Sequence, residues 1–190
     1  MMWKASTGQH ATVVKSVYNS FLAISQDISP PLMNHLMRIF ENVNDLEMDA
    51  LEFLGQLVYH SGNSRFVLSS VLGILWKFLY TDNELLKDGE GDYSNNIAAG
   101  EQIHEEIERF IVSLLGCEMS QSLGLPEKYC KMCITKIKTG TRVLRSLRLI
   151  QKVVENSDFA DELLDTLEKE DNILSLLYTH HFPPSRRKYF

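Results

Sequence analysis

No asparagine in this chain is followed two residues later by serine or threonine, so the sequence offers no acceptor for N-linked sugar. Cysteine is scarce and odd in number, with Cys117, Cys130 and Cys133 alone, and three thiols cannot pair completely. Both absences argue against a secreted, disulfide-held protein. Met1 to Gly8 holds a single Lys4 with no apolar run behind it, so no secretory signal is expected. Long hydrophobic runs are missing too. The longest, Phe66 to Tyr80, is interrupted by Ser69, Ser70, Gly73 and Lys77 and is too short for a bilayer, so no membrane association is expected. Positive charge is in deficit at a formal −6, which argues against a general nucleic-acid binder, because phosphate affinity comes from Lys and Arg. These absences together predict a soluble, intracellular protein.

What is present is helical period. Val13, Val14, Val17, Tyr18, Phe21 and Leu22 recur at three- and four-residue intervals between His10 and Ser25, the signature of one helix face. Ser29-Pro30-Pro31 stops that helix and starts a second, with Leu32, Met33, Leu36, Met37 and Phe40 as its stripe, ending near Asn42. Asp45 suits the N-cap of a third, striped by Leu46, Ala50, Phe53, Leu54, Leu57 and Val58 and closed by Gly62. Ser64 can cap a fourth, in which Phe66, Val67, Val71, Leu72, Leu75, Trp76 and Leu79 leave little polar surface. That helix is the expected centre of the core, with Leu72 and Trp76 buried.

Acidic and glycine residues from Thr81 to Asn96 predict a mobile loop. A long helix follows, roughly Ile97 to Cys117, with Ile103, Ile107, Phe110, Ile111 and Leu114 opposing Glu101, Glu105 and Glu108. Gly116 to Pro126 should break it. Further helices fit Glu127 to Lys138, Thr141 to Glu155, Asp158 to Lys169 and Asn172 to His180, with a flexible tail near 182–190. Strand-like alternation does not persist anywhere. The expectation is one all-α domain over 1–190, either a helical-repeat (armadillo/HEAT-like) α-solenoid or an irregular bundle of about eight or nine helices.

Several fragments of chemistry-bearing motifs stop short. Cys130-Lys131-Met132-Cys133 has the spacing of a metal or redox pair, but two further ligands and a βαβ setting are missing, so both thiols are expected as buried helical residues. His104 and Glu108 lie one turn apart without a second histidine and are expected on a solvated acidic face. His180 and His181 before Pro183-Pro184 look like a helix end. Asp88, Glu90 and Asp92 begin like a calcium loop, yet Tyr93 stands where its glycine belongs and Ala99 where its bidentate Glu belongs. Gly89-x-Gly91 has neither a preceding strand nor a third glycine. No catalytic residue, metal or cofactor is expected.

Charge segregation is the clearest unusual feature. From Lys128 to Val154 there is no acidic residue, while Lys128, Lys131, Lys136, Lys138, Arg142, Arg145, Arg148 and Lys152 are basic. On a helix Arg142, Arg145, Arg148 and Lys152 fall in one arc, with Val143, Leu144, Leu147, Ile150 and Val154 facing the other way. The next segment reverses sign, from Glu155 through Asp158, Asp161, Glu162, Asp165, Glu168 and Glu170 to Asp171, against Lys169 alone. Lys138, Arg142, Arg145, Arg148 and Lys152 are therefore either braced against that acidic segment or offered to an acidic partner.

Two stretches resemble a known family. The run from Ala50 through Phe53, Leu57 and Tyr59 to Gly62, and that from Leu147 through Asn156, Phe159, Leu163 and Leu177 to Arg187, are similar to the C-terminal helical-repeat region of ATR-interacting protein, the adaptor subunit of a DNA-damage checkpoint kinase. The resemblance implies a nuclear scaffold that binds a large kinase or a second copy of itself, and transfers no catalytic residue. A non-enzymatic protein-interaction module is thus the leading expectation. A small helical metal protein built on His104, Cys117, Cys130 and Cys133, and a nucleic-acid-binding domain using the basic ridge, are the competing ones.

Overall fold

The computed structural model describes residues 11–43, 46–62, 64–80, 93–157 and 160–171. Among these residues there are nine helices and no strand: α1 (Ala11–Ile24), α2 (Pro30–Glu41), α3 (Met48–His60), α4 (Arg65–Tyr80), α5 (Tyr93–Leu115), α6 (Glu118–Ser122), α7 (Leu125–Lys138), α8 (Val143–Glu155) and α9 (Ala160–Asp171). None of them is long and apolar enough to cross a membrane. The chain divides into two compact units, Met1–Ile111 and Val112–Phe190.

In the first unit α1 packs on α3, α2 on α4, and α3 on α4. Contacts that skip one helix along the chain are what stacked helix pairs produce, each pair burying its apolar face against the next. The local causes are readable. Pro30 and Pro31 occupy the first turn of α2, where a missing N–H costs nothing, and Met33, Leu36, Met37 and Phe40 then repeat at three and four residues and are all buried. The Asn42 side-chain amide donates to the Arg38 carbonyl at 2.6 Å and closes that helix. Asp45 lies outside the described residues; Glu47 stands at the N-cap of α3, which then buries Ala50, Leu51, Phe53, Leu54, Gly55, Leu57 and Val58.

Phe53 ties three helices together. Its ring stacks on Tyr18 of α1 at 4.6 Å between centroids and on Phe40 of α2 at 5.7 Å. Burial, with Glu47 and Asp49 nearby, raises the Tyr18 hydroxyl well above the usual tyrosine range, so it stays neutral inside this cluster. Gly55 allows a second close approach, because a Cβ there would overlap the ring of Phe110 on α5.

The helix expected at the centre of the core is there, with a difference on each flank. In α4, Val67, Leu68, Val71, Leu72, Ile74, Leu75, Phe78 and Leu79 are buried. Trp76 is only half-buried and packs its ring against Tyr80 at 4.3 Å, while Phe66 is 45% exposed. At about 100° per residue, Trp76 lies just beyond the edge of the buried arc and Phe66 shares the opposite face with Ser69, Gly73 and Lys77. Lys77 reaches back to donate to the backbone carbonyl of Glu41 at the end of α2.

Helix α5 begins earlier than expected, so Tyr93 to Asn96, assigned to the acidic loop, form its first turn. Residues 81–92, the remainder of that loop, lie outside the described residues, as do the expected Asn172 to His180 helix, His181 and the tail near 182–190. Glu108 was expected on a solvated face and is instead buried at 2% exposure. It shares one helix face with Ile111, Val112 and Leu115, at i+3, i+4 and i+7, and that face is the buried one. Glu108 takes part in an interaction within the chain.

In the second unit α7 contacts α6, α8 and α9, and α8 contacts α9. The expected break between Gly116 and Pro126 contains the five-residue α6, whose Ser120 hydroxyl donates to the Leu114 carbonyl. Gly124 turns the chain at φ 63°, and Pro126 sits in the first turn of α7. Leu125, Tyr129, Cys130, Cys133, Ile134 and Ile137 of α7, Leu149, Ile150 and Val153 of α8, and Leu163 and Leu167 of α9 form its core.

Candidate interaction surface

The basic arc is carried by α8 and the turn before it. Gly140 at φ 72° and Arg142 at φ 50° both adopt left-handed backbone, and Arg142 becomes the N-cap of α8 instead of a residue within it. Left-handed geometry is uncommon for arginine and costs on the order of 1 kcal/mol. Helix α8 then buries Ser146, Leu147, Leu149, Ile150 and Val153.

The five basic residues sit at different depths. Lys138, Arg142 and Arg148 are exposed, whereas Arg145 and Lys152 are half-buried at the border of the apolar face. Lys138, Arg142, Arg145 and Lys152 each take part in interactions within the chain. The ridge is thus partly engaged within the chain. Leu144, expected on the apolar face, is 72% exposed; at about 100° per residue it falls beside Arg148, Gln151 and Glu155, opposite the buried residues. Val143 and Val154, also expected inside, are half-buried.

Sequence reasoning missed a groove of about 500 Å³ in the same unit. Glu118 of α6, Glu127 of α7 and Glu162 of α9 line it with Leu163 and Thr166. The signal was present in those three glutamates, but without α6 there was no wall to place them on. Lys131 neutralises one of them, its ammonium 2.7 Å from Glu127. One unit therefore presents both signs of charge.

Cys130 and Cys133 are buried in α7 at 1% exposure each, and among the described residues no group of three His, Cys, Asp or Glu side chains is placed to hold a metal ion. Burial pushes the Cys130 thiol up to about 12, helped by Cys133 and Glu127. Cys117 is half-buried and donates its S–H to the Leu114 carbonyl at 3.0 Å. A disulfide-exchange reagent at neutral pH should accordingly modify Cys117 in the folded chain and reach Cys130 and Cys133 only in denaturant. Rapid native labelling of all three would show that α7 does not bury its thiols.

Skip-one helix packing, short turns and a buried face on every well-described helix are the features of a repeat array, and a family model describes one here: the UBP24/USP9X/USP9Y ARM repeat matches residues 1–182. The chain belongs to this ARM repeat family. No curated protein and no solved structure matches it significantly. Of the two architectures left open by the sequence, the helical repeat is the one present, and an ARM repeat is a protein-interaction fold built from helices. The family match concerns this architecture and says nothing of a checkpoint kinase.

Proposed function

We propose that this ARM repeat acts as a non-enzymatic scaffold whose basic face, formed by Lys138, Arg142, Arg145, Arg148 and Lys152, holds an acidic segment of a protein partner. The observation that carries it is the division of labour on α8. Leu147, Leu149, Ile150 and Val153 supply the buried face, while Leu144 and Arg148 stand in solvent on the opposite one. Exposed charges add about 0–1 kcal/mol each to stability, but several on one face steer and hold an acidic partner.

Two narrower identities follow from different supports. The matched repeats come from a ubiquitin protease protein, which favours a scaffold that presents partners to such chemistry. The resemblance of Ala50–Gly62 and the Leu147 to Arg187 stretch to ATR-interacting protein favours a nuclear adaptor of a checkpoint kinase. Affinity capture with the wild-type chain and the Arg145→Glu/Arg148→Glu variant, read by mass spectrometry, separates them by what is recovered. An acidic protein captured by the wild type and lost with the variant supports the scaffold; recovery of nucleic acid, or of the same proteins by both baits, overturns it.

A further inference from the structure

The outward face of α8 is a solvent-exposed strip of mixed character. Leu144 stands 72% exposed with exposed Arg148 one turn on, and Gln151 donates to Glu155 at 2.7 Å at the far end of the same face. A partner for Leu144 and Arg148 must bring an apolar side chain and a carboxylate at one-turn spacing, which is the chemistry of an acidic, leucine-bearing helix.

Helix α9 of this chain has that chemistry. Leu163 and Leu167 point inward, while Asp161, Leu164 and Asp165, at i, i+3 and i+4, share its outer side, with Leu164 38% exposed. Asp165 pairs with Lys169 at 3.7 Å, with both side chains 76% exposed, so re-pairing it sacrifices little. The two strips are opposite in charge and each carries an exposed leucine.

We propose that two copies of this chain associate about a two-fold axis, the Leu144–Arg148 strip of one lying on the Asp161–Leu164–Asp165 strip of the other, and reciprocally. This rests on the assignment of α8's outward face as a protein-binding surface and names its acidic segment as α9 of a second copy. Reciprocity follows from both strips belonging to one chain: a two-fold contact satisfies both strips at once and closes, whereas a one-way contact leaves a strip open at each end of a growing array. The same operation buries two Leu144–Leu164 contacts and brings each Arg148 to the partner's aspartates.

The test is sedimentation equilibrium of the full chain from about 1 µM to about 1 mM, the range in which modest interfaces associate. The wild type should form dimers, and Arg148→Glu or Asp161→Arg/Asp165→Arg should each weaken association by about tenfold or more, since each sets like charges together twice. An equimolar mixture of the two variants should associate again, because their strips are complementary in both directions. Circular dichroism melts confirm that each variant is folded. A wild type that stays monomeric throughout, a dimer indifferent to both variants, or a mixture no better than its components would overturn the proposal. A monomeric wild type that still captures an external acidic protein through Arg145 and Arg148 removes the dimer and leaves the scaffold standing; a charge-swap-rescued dimer with no external partner does the reverse.

Discussion

Phe53→Ala is expected to destabilise the first unit by about 3–5 kcal/mol, the cost of emptying a large aromatic site that its neighbours cannot fill. Phe53 is 2% exposed, and its ring is the one that touches both Tyr18 and Phe40. Such pairs contribute about 0.5–1.5 kcal/mol beyond their buried area, so removing the shared ring loses two pairings as well as the burial. A denaturant melt followed by far-UV circular dichroism should show the unfolding midpoint lowered accordingly. A midpoint within about 0.5 kcal/mol of wild type would mean that α1, α2 and α3 are not held together through this residue.

Leu72→Ala should cost about 2–5 kcal/mol, and Trp76→Ala distinctly less despite the larger side chain removed. The two residues are one turn apart on α4, but Leu72 is fully enclosed at 0% exposure while Trp76 is half-buried beside Tyr80. Truncating an enclosed leucine leaves a cavity, whereas truncating Trp76 exposes a surface that water and Tyr80 can re-cover. The same melts give both values. Equal costs, or a larger one for Trp76, would place the tryptophan inside the core and rotate α4 about its axis.

The contrast between those two residues shows where helical period stops being informative. Periodicity states which side chains share a face, and on α2 that was sufficient: Met33, Leu36, Met37 and Phe40 are all inside. It does not state how wide the buried face is or where its border runs. Trp76 and Leu144 sit at or beyond such borders, and a large apolar side chain there reads the same as one within. Glu108 is the converse, a charge in the middle of the face shared by Ile111, Val112 and Leu115, whose burial depends on covering neighbours instead of on its own helix.

Connections were legible where their residues constrain the backbone and illegible elsewhere. Pro30-Pro31 marked a helix start correctly, whereas α6 hid between Gly116 and Pro126 because five residues hold too few periods to detect. The first turn of α5 was obscured by the polar composition of Tyr93 to Asn96. The ARM repeat itself was visible only as an architecture. No repeated consensus of fixed period stands out in this chain, so the series of helix periods carried the reading by itself.

For the basic surface, residue types were readable but depth was not. Arg145, Arg148 and Lys152 share an arc as expected, yet Arg145 and Lys152 are rooted at the edge of the apolar face while Arg148 stands clear of it. Arg142 is displaced from the helix altogether by its left-handed backbone, which no hydrophobic pattern encodes. The basic arc is therefore half-buried at Arg145 and Lys152 and exposed at Arg148.

The most direct test pairs binding and stability in one preparation. An acidic partner captured by the wild-type chain is titrated against that chain and against the Arg145→Glu/Arg148→Glu variant, and each sample is melted under the same buffer. Affinity is expected to fall by about tenfold or more while the melting temperature drops only slightly, because the buried leucines of α8 are untouched, Arg148 is exposed and half-buried Arg145 gives up only a local contact. A variant that unfolds while its remaining folded fraction binds the partner with wild-type affinity would contradict the account, and would make the ridge an internal brace against the acidic segment that follows it.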